Sequence, residues 1–184
     1  MNYQKYKVSR DMAWKILLQE RVTTMPVKIS RICRQMGIEV AYYDGDSAGD
    51  GCCTIIDGKP IILVKKDCHH ARQRFTVAHE LGHILLGHVG KYDLVNREPS
   101  STDNPIEHEA NVFASRLLAP ACVLYAMDVW TPEGIAELCD ISLQAASFRA
   151  ERMKILKERQ RFFTSPLERA VYEQFRLFIE SRRL

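Results

Sequence analysis

Phe75-Thr76-Val77-Ala78-His79-Glu80-Leu81-Gly82-His83-Ile84-Leu85-Leu86-Gly87-His88 sets two histidines four residues apart, with a glutamate directly after the first, inside a stretch of helical apolar spacing. Residues at i and i+4 of an α-helix share a face, so His79 and His83 can aim imidazole nitrogens at one ion, roughly 2.0–2.1 Å from each. Glu80 falls beside them, on the turn facing the open position of such a metal. A carboxylate there can take a proton from water whose pKa a metal has lowered to roughly 7. Three fixed letters in five also arise by chance in structural helices, so the surroundings decide. Phe75, Val77, Ala78, Leu81, Leu85 and Leu86 give the segment a buried face, and Gly82 leaves room for another element to approach closely. The pattern predicts a site for Zn2+, with Mn2+ as the other divalent ion such donors accept.

A catalytic zinc takes three protein ligands plus water. Downstream, Pro105-Ile106-Glu107-His108-Glu109-Ala110-Asn111-Val112-Phe113-Ala114 offers two carboxylates on another predicted helix. Glu107 lies four residues before Asn111, so the amide shares its face and can hold the ligand, or a histidine, in place. Glu109 points roughly 200° away around the helix, so Glu107 is the expected third ligand. A competing use exists. Asn104, Pro105 and Glu107 sit where an N-cap, a first-turn proline and a capping-box acid would sit, and Glu107 could instead bond back to the helix start.

The run HELGHILLGH at residues 79–88, followed by EHEANVFASRLLAP at residues 107–120, resembles the ImmA/IrrE family of zinc-dependent metallopeptidases. That family's pattern is an HExGH helix, then Glu-x-x-x-Asn-x-Phe-Ala and a Leu-Leu-x-Pro close. The likeness is dense over residues 75–120 and looser on both sides. It implies a compact gluzincin-like fold, an intracellular location, and cleavage of a helix-turn-helix repressor that silences mobile-element or stress genes. Matched residue by residue, His79, His83 and Glu107 take the places of the metal ligands and Glu80 that of the general base.

Composition agrees with a soluble domain. With 184 residues, 46% hydrophobic and 27% charged, the chain has enough apolar material for a core. No stretch approaches the roughly 18 apolar residues of a membrane span, and MNYQKYKVSRDMAWK lacks an apolar signal core, so a cytoplasmic location is expected. Cys33, Cys52, Cys53, Cys68, Cys122 and Cys139 form no CxxC pair and read as reduced thiols. Cys68-His69-His70 contains good ligand types, but adjacent side chains diverge and no partner cluster closes a tetrahedron. It reads as a strand-to-helix connection.

The expected architecture is α+β and zincin-like, a small, mostly antiparallel sheet packed on the HExxH helix. Helices are predicted over residues 9–20 and 27–36, the second ended by Gly37, and a strand over residues 38–43. Strands at 53–56 and 60–64 flank Asp57-Gly58, a hairpin signal. In zincins an edge strand lines the cleft and pairs with extended substrate; by resemblance, residues 53–56 or 60–64 take that part. The polar run 87–104 reads as a long loop. Within it His88 and Tyr92 could donate to an oxyanion. The alternative is that His88 helps end the helix and Tyr92 packs on the surface. The catalytic acid stays unassigned.

Residues 1–125 are expected to form the metallopeptidase domain and residues 126–184 a C-terminal helical segment. There, Thr131-Pro132-Glu133 starts a helix, and residues 135–149 have the rhythm and Ile-Ser turn of a helix-turn-helix. Residues 149–184 carry ten Lys/Arg against five Asp/Glu, whereas residues 1–148 carry sixteen against eighteen. A basic tail can bind phosphates. Leu143 to Phe148, however, offers only Gln144 for reading base edges, which favours packing or docking of a repressor over direct nucleic-acid binding. The terminal stretch places Val171, Phe175, Phe178 and Ile179 on one face, as a helix packing on the core. Two functions follow: an endopeptidase, or a non-proteolytic regulator binding a repressor, antitoxin partner or DNA through its C-terminal helices. An aminopeptidase is a third.

Overall fold

The computed structural model describes residues 6–45, 49–89 and 104–182. Helices α1 (Lys7–Gln19) and α2 (Ile29–Gln35) precede strands β1 (Glu39–Tyr43), β2 (Gly51–Ile56) and β3 (Lys59–Lys65). Then come α3 (His70–Leu85), α4 (Pro105–Leu118), α5 (Ala121–Ala126), α6 (Pro132–Cys139), α7 (Leu143–Glu158) and α8 (Pro166–Ser181). The fold is α+β, in keeping with a small zincin-like domain. It divides into two compact units, residues 1–12 with 28–114, and residues 13–27 with 115–184.

In the first unit, Gly37 ends α2 in the left-handed region at φ +69°. Its N–H reaches Arg34 O at 3.1 Å and that of Ile38 reaches Cys33 O at 2.9 Å. This Schellman closure satisfies the last carbonyls and turns the chain into β1. Asp57 and Gly58 both take positive φ, 50° and 74°, the requirement of a type I′ hairpin, and β2 pairs antiparallel with β3 as expected. β1 joins β3 in parallel, from Glu39 opposite Ile61 to Tyr43 opposite Lys65. One of the two pairings in the sheet is thus parallel. With order β1-β3-β2, residues 60–64 lie in the centre, which removes them as an edge. Among the described strands β2 lies at one end of the sheet, and its Ile55 and Ile56 are 50% and 53% exposed.

Helix α3 packs across β2 and β3. Gly51 permits the approach: a Cβ there would overlap the Thr76 methyl and stand 2.7 Å from the Leu63 carbonyl oxygen. Ile62, Val64, Val77, Ala78 and Leu81 are buried in this layer. Residues 66–69 connect β3 to α3, and His69 serves as N-cap, its Nδ1 accepting from the Ala71 N–H at 3.3 Å. None of the six cysteines is paired in a disulfide.

In the second unit α5 packs on α8 and α6 on α7. Thr131 caps α6, accepting from Gly134 N, and Ser142 caps α7, accepting from Ala145 N, with Asp140 left-handed between the two helices. Residues 140–142 thus join two packed helices by a short turn. Leu143 and Phe148, early in α7, are 54% and 66% exposed. On α8, Val171, Phe175 and Ile179 are buried, while Phe178 is half-buried with the Arg182 guanidinium over its ring. Gln174 Nε2 donates to Leu17 O at 2.7 Å and to Val22 O at 2.8 Å, taking up carbonyls around the end of α1. Among the described residues no helix is long and apolar enough to cross a membrane.

Candidate metal centre

His79 and His83 lie one turn apart on α3, with their Nε2 atoms 3.0 Å from each other. Gly82 determines what comes next to them. A Cβ on Gly82 would stand 3.0 Å from the Phe113 ring and 3.3 Å from the Ala110 Cα, so α4 crosses α3 at the bare glycine. Ala110 follows Glu107 by three residues on the same face of α4, and the crossing therefore delivers the Glu107 carboxylate to the histidines. Glu107 Oε2 lies 3.0 Å from His79 Nε2, and Oε1 lies 3.3 Å from His83 Nε2. Glu107 thus faces the site rather than the helix start, where Asn104 Oδ1 accepts from the Ile106 N–H. Among the described residues His79, His83 and Glu107 are the one cluster of metal-ligating type, with their ligand atoms within 4.8 Å of one another.

Proton placement shows what this cluster lacks. Asn111 Oδ1 lies 3.0 Å from His79 Nδ1, and with the amide in this orientation the imidazole proton belongs on Nδ1. The Nε2 lone pair of His79 then points at an acceptor, the Glu107 carboxylate. Without a cation, a proton on Nε2 of His79 first, and of His83 second, hydrogen-bonds the Glu107 carboxylate, outweighs burial and holds its carboxyl well below the usual range, so it is ionised. Lone pairs and a carboxylate converging in a half-buried place call for a cation. One ligand atom from each of the three residues lies within 4.8 Å of the others, close enough for a single ion to be shared. The residues present fit a metal. Glu80, next to His79 in the chain, is fully buried.

His88 occupies a different place from the one expected of an oxyanion donor. Gly87, at φ +72°, ends α3; its N–H reaches Ile84 O at 3.2 Å and that of His88 reaches His83 O at 2.9 Å. This second Schellman closure folds residue 88 back onto residue 83. The His88 ring continues the contact, with Nδ1 3.1 Å from His83 Nδ1 and Nε2 3.3 Å from Glu109 Oε2. His83 Nδ1 is the nitrogen away from Glu107, so His88 stands behind the site, not over it. Burial first, and His83 second, push the His88 imidazole below its ordinary pKa. Helix-ending was the other use foreseen for His88, and the Leu-Gly-His stop carries the signal for it. Tyr92 lies outside the described residues.

Two histidines on one helix and a glutamate from the next, beside a small mixed sheet, define a metallopeptidase-like domain. A family model described as the IrrE N-terminal-like domain, Peptidase M78, matches residues 33–151, and the chain belongs to that family. The match spans the sheet, α3, α4 and the first half of α7, and bears out the ImmA/IrrE resemblance. No curated protein matches the chain.

Proposed function

We propose that the protein is a cytoplasmic zinc-dependent endopeptidase that cleaves a helix-turn-helix transcriptional repressor and thereby derepresses mobile-element or stress-response genes. The observation carrying this reading is the convergence of His79, His83 and Glu107 in a chain of the M78 family. Those three residues would hold the metal. Two nitrogens and one carboxylate oxygen suit zinc and leave a fourth position for water or substrate. When bound, the ion supplies Lewis acidity, acidifying water and polarising a peptide carbonyl. Glu80 takes the proton from the attacking water and passes it to the leaving amine. Asn111 fixes the His79 tautomer. β2, last in the strand order β1-β3-β2, is the strand beside which an extended segment would lie. Direct reading of bases has little support, because Leu143 and Phe148 make the exposed start of α7 apolar.

The test is incubation of metal-loaded wild type and Glu80→Gln with a helix-turn-helix repressor encoded beside the gene, with fragments read by intact mass. Cleavage by wild type and none by a folded, zinc-binding Glu80→Gln protein is expected. Undiminished cleavage by that variant excludes Glu80 as the base. The exposed Leu143 and Phe148 favour one second reading, a regulator that binds a repressor or antitoxin partner without cutting it. Binding by both proteins with no cleavage by either selects that reading.

A further inference from the structure

The geometry points to His88 and Glu109 as a positioning pair that fixes the ring and tautomer of His83 for metal binding. This rests on the metal-centre reading and adds residues to it. His83 has two ring nitrogens, and Nε2 faces Glu107 and His79. Its Nδ1 meets His88 Nδ1 at 3.1 Å, and two nitrogens at that distance share one proton. The far side of His88 settles which ring carries it. Glu109 Oε2 lies 3.3 Å from His88 Nε2, and a carboxylate accepts only, so the His88 proton belongs on Nε2. His88 Nδ1 is then the acceptor, His83 Nδ1–H the donor, and the His83 lone pair is left on Nε2, toward the site.

His79 reaches the same state by a shorter route, through Asn111 Oδ1 on its Nδ1. Both histidines therefore donate outward from Nδ1 and present Nε2 inward, and each has its acceptor partner from α4 or tied to α4. The relay behind His83 is enclosed: its side chain is 4% exposed and that of His88 10%, while Glu109 at the outer end is 32% exposed. The backbone supports it independently, since the His88 N–H also bonds His83 O. Outer partners of this kind are worth about 10- to 100-fold in metal affinity.

The experiment compares full-length wild type, His88→Leu, His88→Gln and Glu109→Ala. Zinc affinity is read by competition with a chromophoric chelator, the Co2+ spectrum reports ligand geometry, and Tm is taken in excess chelator. His88→Leu keeps bulk but has no acceptor, and about a 10- to 100-fold loss of zinc affinity with an altered Co2+ spectrum is expected. His88→Gln offers an amide oxygen to His83 Nδ1–H and recovers most of the affinity. Glu109→Ala loses a smaller part, and the metal-free Tm values of His88→Leu and His88→Gln fall together. Wild-type affinity in His88→Leu, or a Gln variant no better than Leu, overturns the proposal. Should His88→Leu fail to fold, unchanged affinity in Glu109→Ala overturns it as well. A wild type that binds no divalent ion removes the metal centre itself, whereas metal-binding wild type with unaffected variants removes only the pair.

Discussion

Gly82 and Ala110 face each other across α3 and α4 so closely that a single methyl on the glycine would come within 3.3 Å of the alanine Cα. Backbone cannot rotate out of the way as a side chain can. Gly82→Ala therefore moves α4 outward by a few tenths of an ångström, and Gly82→Val moves it further. Overpacking of this kind costs about 1–3 kcal/mol, and here the displaced element carries Glu107. Gly82→Val is expected to lower the metal-free Tm and to weaken zinc binding together. Wild-type zinc affinity in that variant, measured by chelator competition, would show that the crossing does not set the ligand's position.

Glu107 gives the metal-free protein an acid dependence of definite sign. Its folded pKa lies below the usual glutamate value of about 4.3, so its contribution is present above that value and is lost as pH falls towards the folded pKa. In excess chelator, the Tm advantage of wild type over Glu107→Gln should shrink steadily below about pH 4.5. A constant difference from pH 7 downward would contradict the hydrogen bonds to His79 and His83.

Burial pushes the Cys33 and Cys122 thiols up to about 12, and Cys139 is likewise fully buried. Thiolate is the reactive form, so these three should resist N-ethylmaleimide at pH 8 until the chain unfolds. Cys52, Cys53 and Cys68 are half-buried, and intact mass should show at most three rapid additions to the native protein. A fourth rapid addition would mean that one of the enclosed thiols opens locally.

Gln174→Leu removes donors from two carbonyls, Leu17 O and Val22 O, while keeping most of the side-chain volume. Two hydrogen bonds of ordinary strength amount to about 1–3 kcal/mol. Denaturant unfolding followed by circular dichroism should register that loss. No change in midpoint would show that water replaces the glutamine at both oxygens.

How much of this was legible in the chain depends on the range of each signal. His79 and His83 at i and i+4, Asp57-Gly58, Gly37 and the caps Thr131 and Ser142 are local rules, and the structure follows them. The choice of Glu107 over Glu109 for the side facing the histidines came from helical angle alone, with Asn111 as a neighbour on that face. Direction of pairing is not local: alternation in β1 reports which side is buried and nothing about the partner, so its parallel run beside β3 was unreadable. His88 shows the same limit. Helix-ending was readable from the Leu-Gly-His stop, but not that the glycine turn lays the His88 ring against His83. Glu109, set aside because it points away from the histidines, points instead at His88.

The helix stop at Gly87 has a practical meaning for anyone moving this centre into another scaffold. One residue, His88, closes the helix with its backbone and meets His83 with its ring, so the spacing of five between them belongs to the motif as firmly as the spacing of four between His79 and His83. A transplant that ends at His83, or continues the helix through residue 87, carries both histidines but leaves one of them without its support. The histidine half of the centre is ten residues long, from His79 to His88, and Glu107 has to come with α4.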